Sequence, residues 1–67
     1  METKAFTLLD TRHDSPVFGL ADVPADNALL AAVVSAPGEK DWRSLDTGES
    51  VCVKDREGVI YRMVRTR

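Results

Sequence analysis

A single cysteine, a single histidine, a single tryptophan and a single tyrosine in 67 residues leave few ways to build covalent or metal chemistry. With Cys52 alone there is no intramolecular disulfide and no cysteine-built metal cage, and a reducing, cytoplasmic setting is the expected one. His13 has no helical i, i+4 ligand partner, so neither a metal nor a cofactor is expected. The four glycines, at 19, 38, 48 and 58, are isolated from one another, which excludes a glycine-rich phosphate loop and a dinucleotide-binding fingerprint. No apolar run approaches the roughly 20 residues of a membrane-spanning helix, and Met1-Glu2-Thr3-Lys4 lacks the basic and apolar regions of a signal peptide.

So short a chain buries only about 60% of the surface that its unfolded form exposes. One domain over residues 1–67 is therefore expected, with a core small enough that a partner or a second copy would add to it. Arg outnumbers Lys, and Val and Ala outnumber Ile, a usage compatible with a bacterial or phage gene of high GC content.

The stretch that organises the rest is the C-terminal segment, residues 50–66, which reads as a β-hairpin. Val51-Cys52-Val53-Lys54 and Val59-Ile60-Tyr61-Arg62-Met63-Val64 are rich in β-branched and aromatic residues. Between them, Asp55-Arg56-Glu57-Gly58 is turn chemistry, with Gly58 expected in the left-handed conformation. A loop of Arg56-Glu57-Gly58 sets Val53 opposite Tyr61 and Val51 opposite Met63 on the core side. It sets Lys54 opposite Ile60 and Cys52 opposite Arg62 on the other side.

Upstream, Ala5-Phe6-Thr7-Leu8-Leu9 alternates as a first strand. Asp10 to Pro16 is a polar turn, and Val17 to Ala21 returns as a short second strand. Asp22-Val23-Pro24-Ala25-Asp26 has the character of a helix start and Ala36-Pro37-Gly38 that of a stop. Between them Leu29, Leu30, Val33 and Val34 fall within an arc of about 140° when stepped at 100° per residue, a face predicted to pack on the sheet. Ala25, Ala28, Ala31, Ala32, Ser35 and Ala36 occupy the opposite face, which carries no charge and suits a homodimer contact. Glu39 to Leu45 is expected to form a turn or two of helix that brings Trp42 and Leu45 together. The predicted fold is α+β: a small antiparallel β-sheet in the order β-β-α-β-β, with one helix packed on one face.

Three groups of residues invite a chemical reading. Asp46-Thr47-Gly48 coincides with the aspartic-protease triplet, but that triplet belongs to all-β subunits of roughly a hundred residues and needs a second copy across a dimer interface. His13-Asp14-Ser15 has the residue types of a hydrolytic triad, but sequence neighbours cannot face one another in triad geometry. Cys52 opposite Arg62 places a thiol beside a guanidinium, the setting that makes a cysteine reactive, although a lone cysteine in a strand ordinarily serves as a small hydrophobe. None of the three predicts an enzyme.

Charge is more informative. The formal net charge is −2, yet residues 51–67 hold five basic side chains (Lys54, Arg56, Arg62, Arg65, Arg67) against Asp55 and Glu57. The leading expectation is a small non-catalytic protein-interaction module, a regulator or inhibitor acting by binding a partner protein. Its contacts would be Lys54, Ile60, Arg62 and Val64 on the exposed hairpin face, and the Trp42-Arg43 connection, since Trp and Arg are enriched at binding hot spots. The alternative is nucleic-acid binding through Lys54, Arg56, Arg62, Arg65 and Arg67, an arrangement at odds with the acidic balance of the whole chain.

Overall fold

The structure, a computed structural model, describes residues 4–13, 15–17 and 21–67. The expected second strand, Val17 to Ala21, lies largely outside the described residues. Its beginning is visible: Val17 N–H donates to Leu8 O at 2.8 Å, Asp10 N–H donates to Ser15 O at 2.8 Å, and Pro16 bridges Leu9.

Five antiparallel strands make a sheet that curls into a half-barrel around the core. They are β1 (Ala5–Asp10), β2 (Val23–Pro24), β3 (Val34–Ser35), β4 (Ser50–Lys54) and β5 (Ile60–Arg65). Their spatial order is β2-β1-β5-β4-β3, so the last strand in sequence is the middle one in space. Helix α1 (Ala28–Ala31) and a 3₁₀ turn (Trp42–Ser44) are the other elements among the described residues.

The pairing of β4 with β5 follows from loop length. Val51 faces Met63, Cys52 faces Arg62, Val53 faces Tyr61 and Lys54 faces Ile60. Asp55 secures the loop: its Oδ1 accepts from Glu57 N–H and Val59 N–H, both at 2.9 Å, while Gly58 adopts φ +83°. The expected hairpin chemistry is therefore present in full, with the left-handed residue where only glycine sits without strain.

The predicted long helix is not formed. Asn27 caps α1 by accepting from Leu29 N–H at 2.8 Å, and the helix is over by Ala32. The chain then extends, because the β-branched pair Val33-Val34 fits a pleated edge, and Val34 and Ser35 pair with Lys54 and Val53. One turn of helix cannot point four large residues the same way. Leu30 and Val33 are buried, whereas Leu29 and Val34 are 61% and 60% exposed.

The continuous alanine face is lost with the helix. Ala28 and Ala31 are exposed on the single turn, and Ala25 packs against the core. Val23-Pro24, expected to help start the helix, instead forms edge strand β2, where a proline without an N–H is tolerated. The β-β-α-β-β order thus gives way to a sheet with an extra short strand after a vestigial helix.

The core gathers Phe6, Leu8, Val23, Leu30, Val33, Trp42, Leu45, Val51, Val53 and Met63. Trp42 is 1% exposed and meets Phe6 edge-on, with ring centroids 5.1 Å apart. Its Nε1–H donates to Val33 O at 3.2 Å, which ties the 3₁₀ turn to the start of β3. As expected, Trp42 and Leu45 come together, but the indole is core and does not serve as an exposed anchor.

Candidate interaction surface at the hairpin end

Alternation along the strands gives the sheet a second face, opposite the core. Register arranges it in rows across three strands: Val34, Lys54 and Ile60; then Cys52, Arg62 and Leu9; then Ser50, Val64 and Thr7. Lys54 and Val64 are half-buried, and Ile60 and Arg62 are exposed. Four of the residues expected to contact a partner (Lys54, Ile60, Arg62, Val64) thus share one face. The structure adds Val34 and Leu9 to them.

The exposed large hydrophobic side chains among the described residues are Leu29, Val34, Val59 and Ile60. All four surround the loop end of the β4–β5 hairpin. Val34 and Ile60 flank Lys54 in one row, and Val59 opens β5. Leu29 lines a groove of about 430 Å³ with Ala28, Ala32, Asp55, Arg56 and Glu57. A second groove, of about 460 Å³, lies between the turn at Asp10-Thr11-Arg12 and Val59-Ile60-Tyr61.

Sequence reasoning found Ile60 but missed Leu29, Val34 and Val59. The first two read as buried because the apolar periodicity was helical. The signal that could have corrected this is the Val33-Val34 doublet, a better strand former than helix former.

Arg43 joins this surface from the side. Its guanidinium carbon lies 4.4 Å from the Trp42 ring centroid, a cation–π contact, with an Asp41 carboxylate 4.0 Å away. Arg43, Trp42 and Val34 line a groove of about 360 Å³, so the Trp42-Arg43 connection and the hairpin end are neighbours.

The remaining basic residues are dispersed. Arg65 faces the other way and donates from Nη1 to Leu45 O at 2.9 Å. Arg67 pairs with Asp22 at 3.6 Å. Arg56 projects from the loop, and Lys54 and Arg62 stand on the outer face, so the five basic side chains of the segment do not share one surface.

The chemical readings meet simple structural roles. Asp46-Thr47-Gly48 is an exposed turn leading into β4, closed by Glu49, whose Oε1 accepts from Asp46 N–H at 2.7 Å and Lys40 Nζ at 2.8 Å. Those donors hold the Glu49 carboxyl below its ordinary value. His13 is exposed in the Asp10–Pro16 turn, and its carbonyl accepts from Ser15 Oγ at 3.3 Å. Cys52 is half-buried, and its amide donates to Glu39 Oε2 at 3.3 Å. Among the described residues no three His, Cys, Asp or Glu side chains converge in a way that could hold a metal ion, and no helix is long and apolar enough to cross a membrane.

The titration of Tyr61 also follows from the architecture. Desolvation against the core raises the phenol above its ordinary value; the Asp55 carboxylate, to which it hydrogen-bonds, and the charges of Glu57 and Asp10 push in the same direction. A raised native value means that this contribution to stability is complete below the unfolded pKa and is lost as pH climbs through the folded one. Urea midpoints should therefore fall above about pH 10. Tyr61→Phe should flatten that limb, and an unchanged alkaline limb in the variant would remove Tyr61 as its source.

Comparison with protein-family models, curated proteins and solved structures finds no match to this chain, which leaves the side chains at the hairpin end as the basis for a functional reading.

Proposed function

We propose that the chain is a small non-catalytic protein-interaction module, a regulator that binds a partner protein through the loop end of the β4–β5 hairpin. One observation carries the reading: Leu29, Val34, Val59 and Ile60 gather at that end, and Lys54, Asp55, Arg56 and Glu57 stand among them. An apolar centre with a charged rim is the usual anatomy of a protein-binding patch. Val34 and Ile60 flank Lys54 on the outer face, and Leu29 and Val59 lie on the other side of the loop beside Asp55, so solvation alone does not explain the apolar exposure at this end. Arg43 and Arg62 extend the surface, and the dispersal of Arg65 and Arg67 counts against the nucleic-acid alternative.

The test compares the tagged wild-type protein with a Val34→Ser/Ile60→Ser variant as baits in nuclease-treated lysate of its source, read by mass spectrometry. Both positions are exposed, so the variant should unfold within a few degrees of wild type. A nuclease-resistant protein captured by the wild type and lost from the variant is the expected result. Equal capture by both baits, or capture only when nucleic acid is left intact, would overturn the reading.

A further inference from the structure

We infer that the occupant of the outer sheet face is an acidic, apolar polypeptide segment, one that sets an Asp or Glu carboxylate on Lys54 and apolar side chains on Val34 and Ile60. The inference rests on the hairpin end being a protein-binding surface, and it names the chemistry of what binds there. Although the chain has a formal net charge of −2, the charged side chains in the three rows of the outer face are Lys54 and Arg62, both positive. The carboxylates nearest that face are turned to the backbone. Glu39 accepts from the Cys52 amide at 3.3 Å, Asp41 from the Arg43 amide at 3.0 Å, and Asp55 from the amides of Glu57 and Val59, both at 2.9 Å. Among the described residues, Lys54 Nζ has no carboxylate within ion-pair distance. Lys54 is itself half-buried, and Val34 and Ile60 stand about 5 Å to either side of it in the row, 60% and 45% exposed.

Other occupants meet this arrangement less well. A sugar–phosphate backbone matches the cations but offers Val34 and Ile60 nothing apolar to bury against. A second copy laid face to face about a two-fold axis sets Lys54 and Arg62 against the same two cations. A segment that carries a carboxylate between apolar side chains satisfies both: apolar contact over Val34 and Ile60 supplies the attraction and thins the water around Lys54, and the charge decides which segments are accepted.

Selection of a random peptide display library on the immobilised wild-type protein tests this, with the enriched peptides synthesised and titrated against variants by fluorescence anisotropy. The enriched peptides should be net negative, with Asp or Glu next to large apolar residues, and should bind more weakly as salt is raised. Lys54→Glu should weaken them roughly tenfold or more, and Val34→Ser/Ile60→Ser should weaken them as well. Lys54→Met keeps the stem and removes the charge, so it should weaken them less than Lys54→Glu, and it serves in place of that variant if circular dichroism shows the glutamate chain unfolded. Neutral or basic peptides, affinities indifferent to both Lys54 variants, or no enrichment over a blank surface would overturn the inference. So would binding of a short DNA duplex that Lys54→Glu abolishes, or a dimer by light scattering that Val34→Ser/Ile60→Ser dissolves. If these fail while capture of a nuclease-resistant protein still depends on Val34 and Ile60, the partner is a protein of other chemistry and only this inference falls; loss of the capture result removes the binding surface itself.

Discussion

Replacing Trp42 with alanine should leave the chain largely unfolded at room temperature. The indole is among the largest fully buried side chains, it meets Phe6 edge-on at 5.1 Å, and it holds the Val33 carbonyl through Nε1 at 3.2 Å. Truncating a buried tryptophan costs about 3–5 kcal/mol. At about 0.05–0.15 kcal/mol per residue, a chain of this length has roughly 3–10 kcal/mol in total, so the loss is comparable with the whole stability.

The cost also spreads beyond the cavity. Trp42 N–H donates to Ser35 Oγ at 3.0 Å, and the 3₁₀ turn, with Arg43 stacked over the indole, hangs on this residue. Trp42→Phe gives the contrast: it keeps an aromatic ring against Phe6 but strips the Val33 carbonyl of its donor, for about 1–3 kcal/mol. Urea titration followed by far-ultraviolet circular dichroism separates the two. An alanine variant that melts within a few degrees of wild type would show that the core does not depend on this side chain.

Gly58→Val should destabilise the hairpin, and for a reason confined to the backbone. A Cβ at Gly58 would meet nothing within 4 Å, so crowding contributes nothing. The penalty comes from φ +83° at the end of the loop, a conformation that costs an ordinary residue about 1–2 kcal/mol and a β-branched one more. If the chain relieved that strain by changing the turn, the register of β4 on β5 would slip, and a one-residue slip would carry Val51, Val53 and Met63 out of the core. Gly58→Asn, tolerated in the left-handed region, should lose well under half as much. Equal midpoints for the valine and asparagine variants would refute this account.

The hairpin was legible because its information is local. Loop length, a glycine at the position that needs one and strict alternation on both sides determine which residues face one another, and no distant contact has to be known. The segment from Asp22 to Ser35 was not legible, for the opposite reason. Its leucines, valines and alanines satisfy a helical period, and a proline after an aspartate is an ordinary way to begin a helix. The outcome depended on β4, which lies about twenty residues further on in sequence and whose outer edge accepts Val34 and Ser35. Tertiary pairing overrode local preference, and with it went the alanine face as a dimer contact.

The candidate site was half readable from the same cause. Lys54, Ile60, Arg62 and Val64 follow from hairpin register, whereas Leu29 and Val34 surface only because the helix stops after one turn. Arg65 and Arg67 were grouped with the other basic residues by sequence proximity alone. The structure turns Arg65 towards Leu45 and ties Arg67 to Asp22.

The place of β5 bears on how such a chain is made. It lies between β1 and β4 at the centre of the sheet, although of all the strands it is the last to leave the ribosome. Until residue 65 has emerged, β1 lacks the partner that holds it to β4, and the earlier pairings among the described residues are short: β2 on β1 and β3 on β4, each of two residues on either strand, and the Leu9–Pro16 bridge. Joining β1 to β4 therefore waits on β5, and until then the future core faces of β1 and β4 are open to chaperones, proteases or another nascent copy.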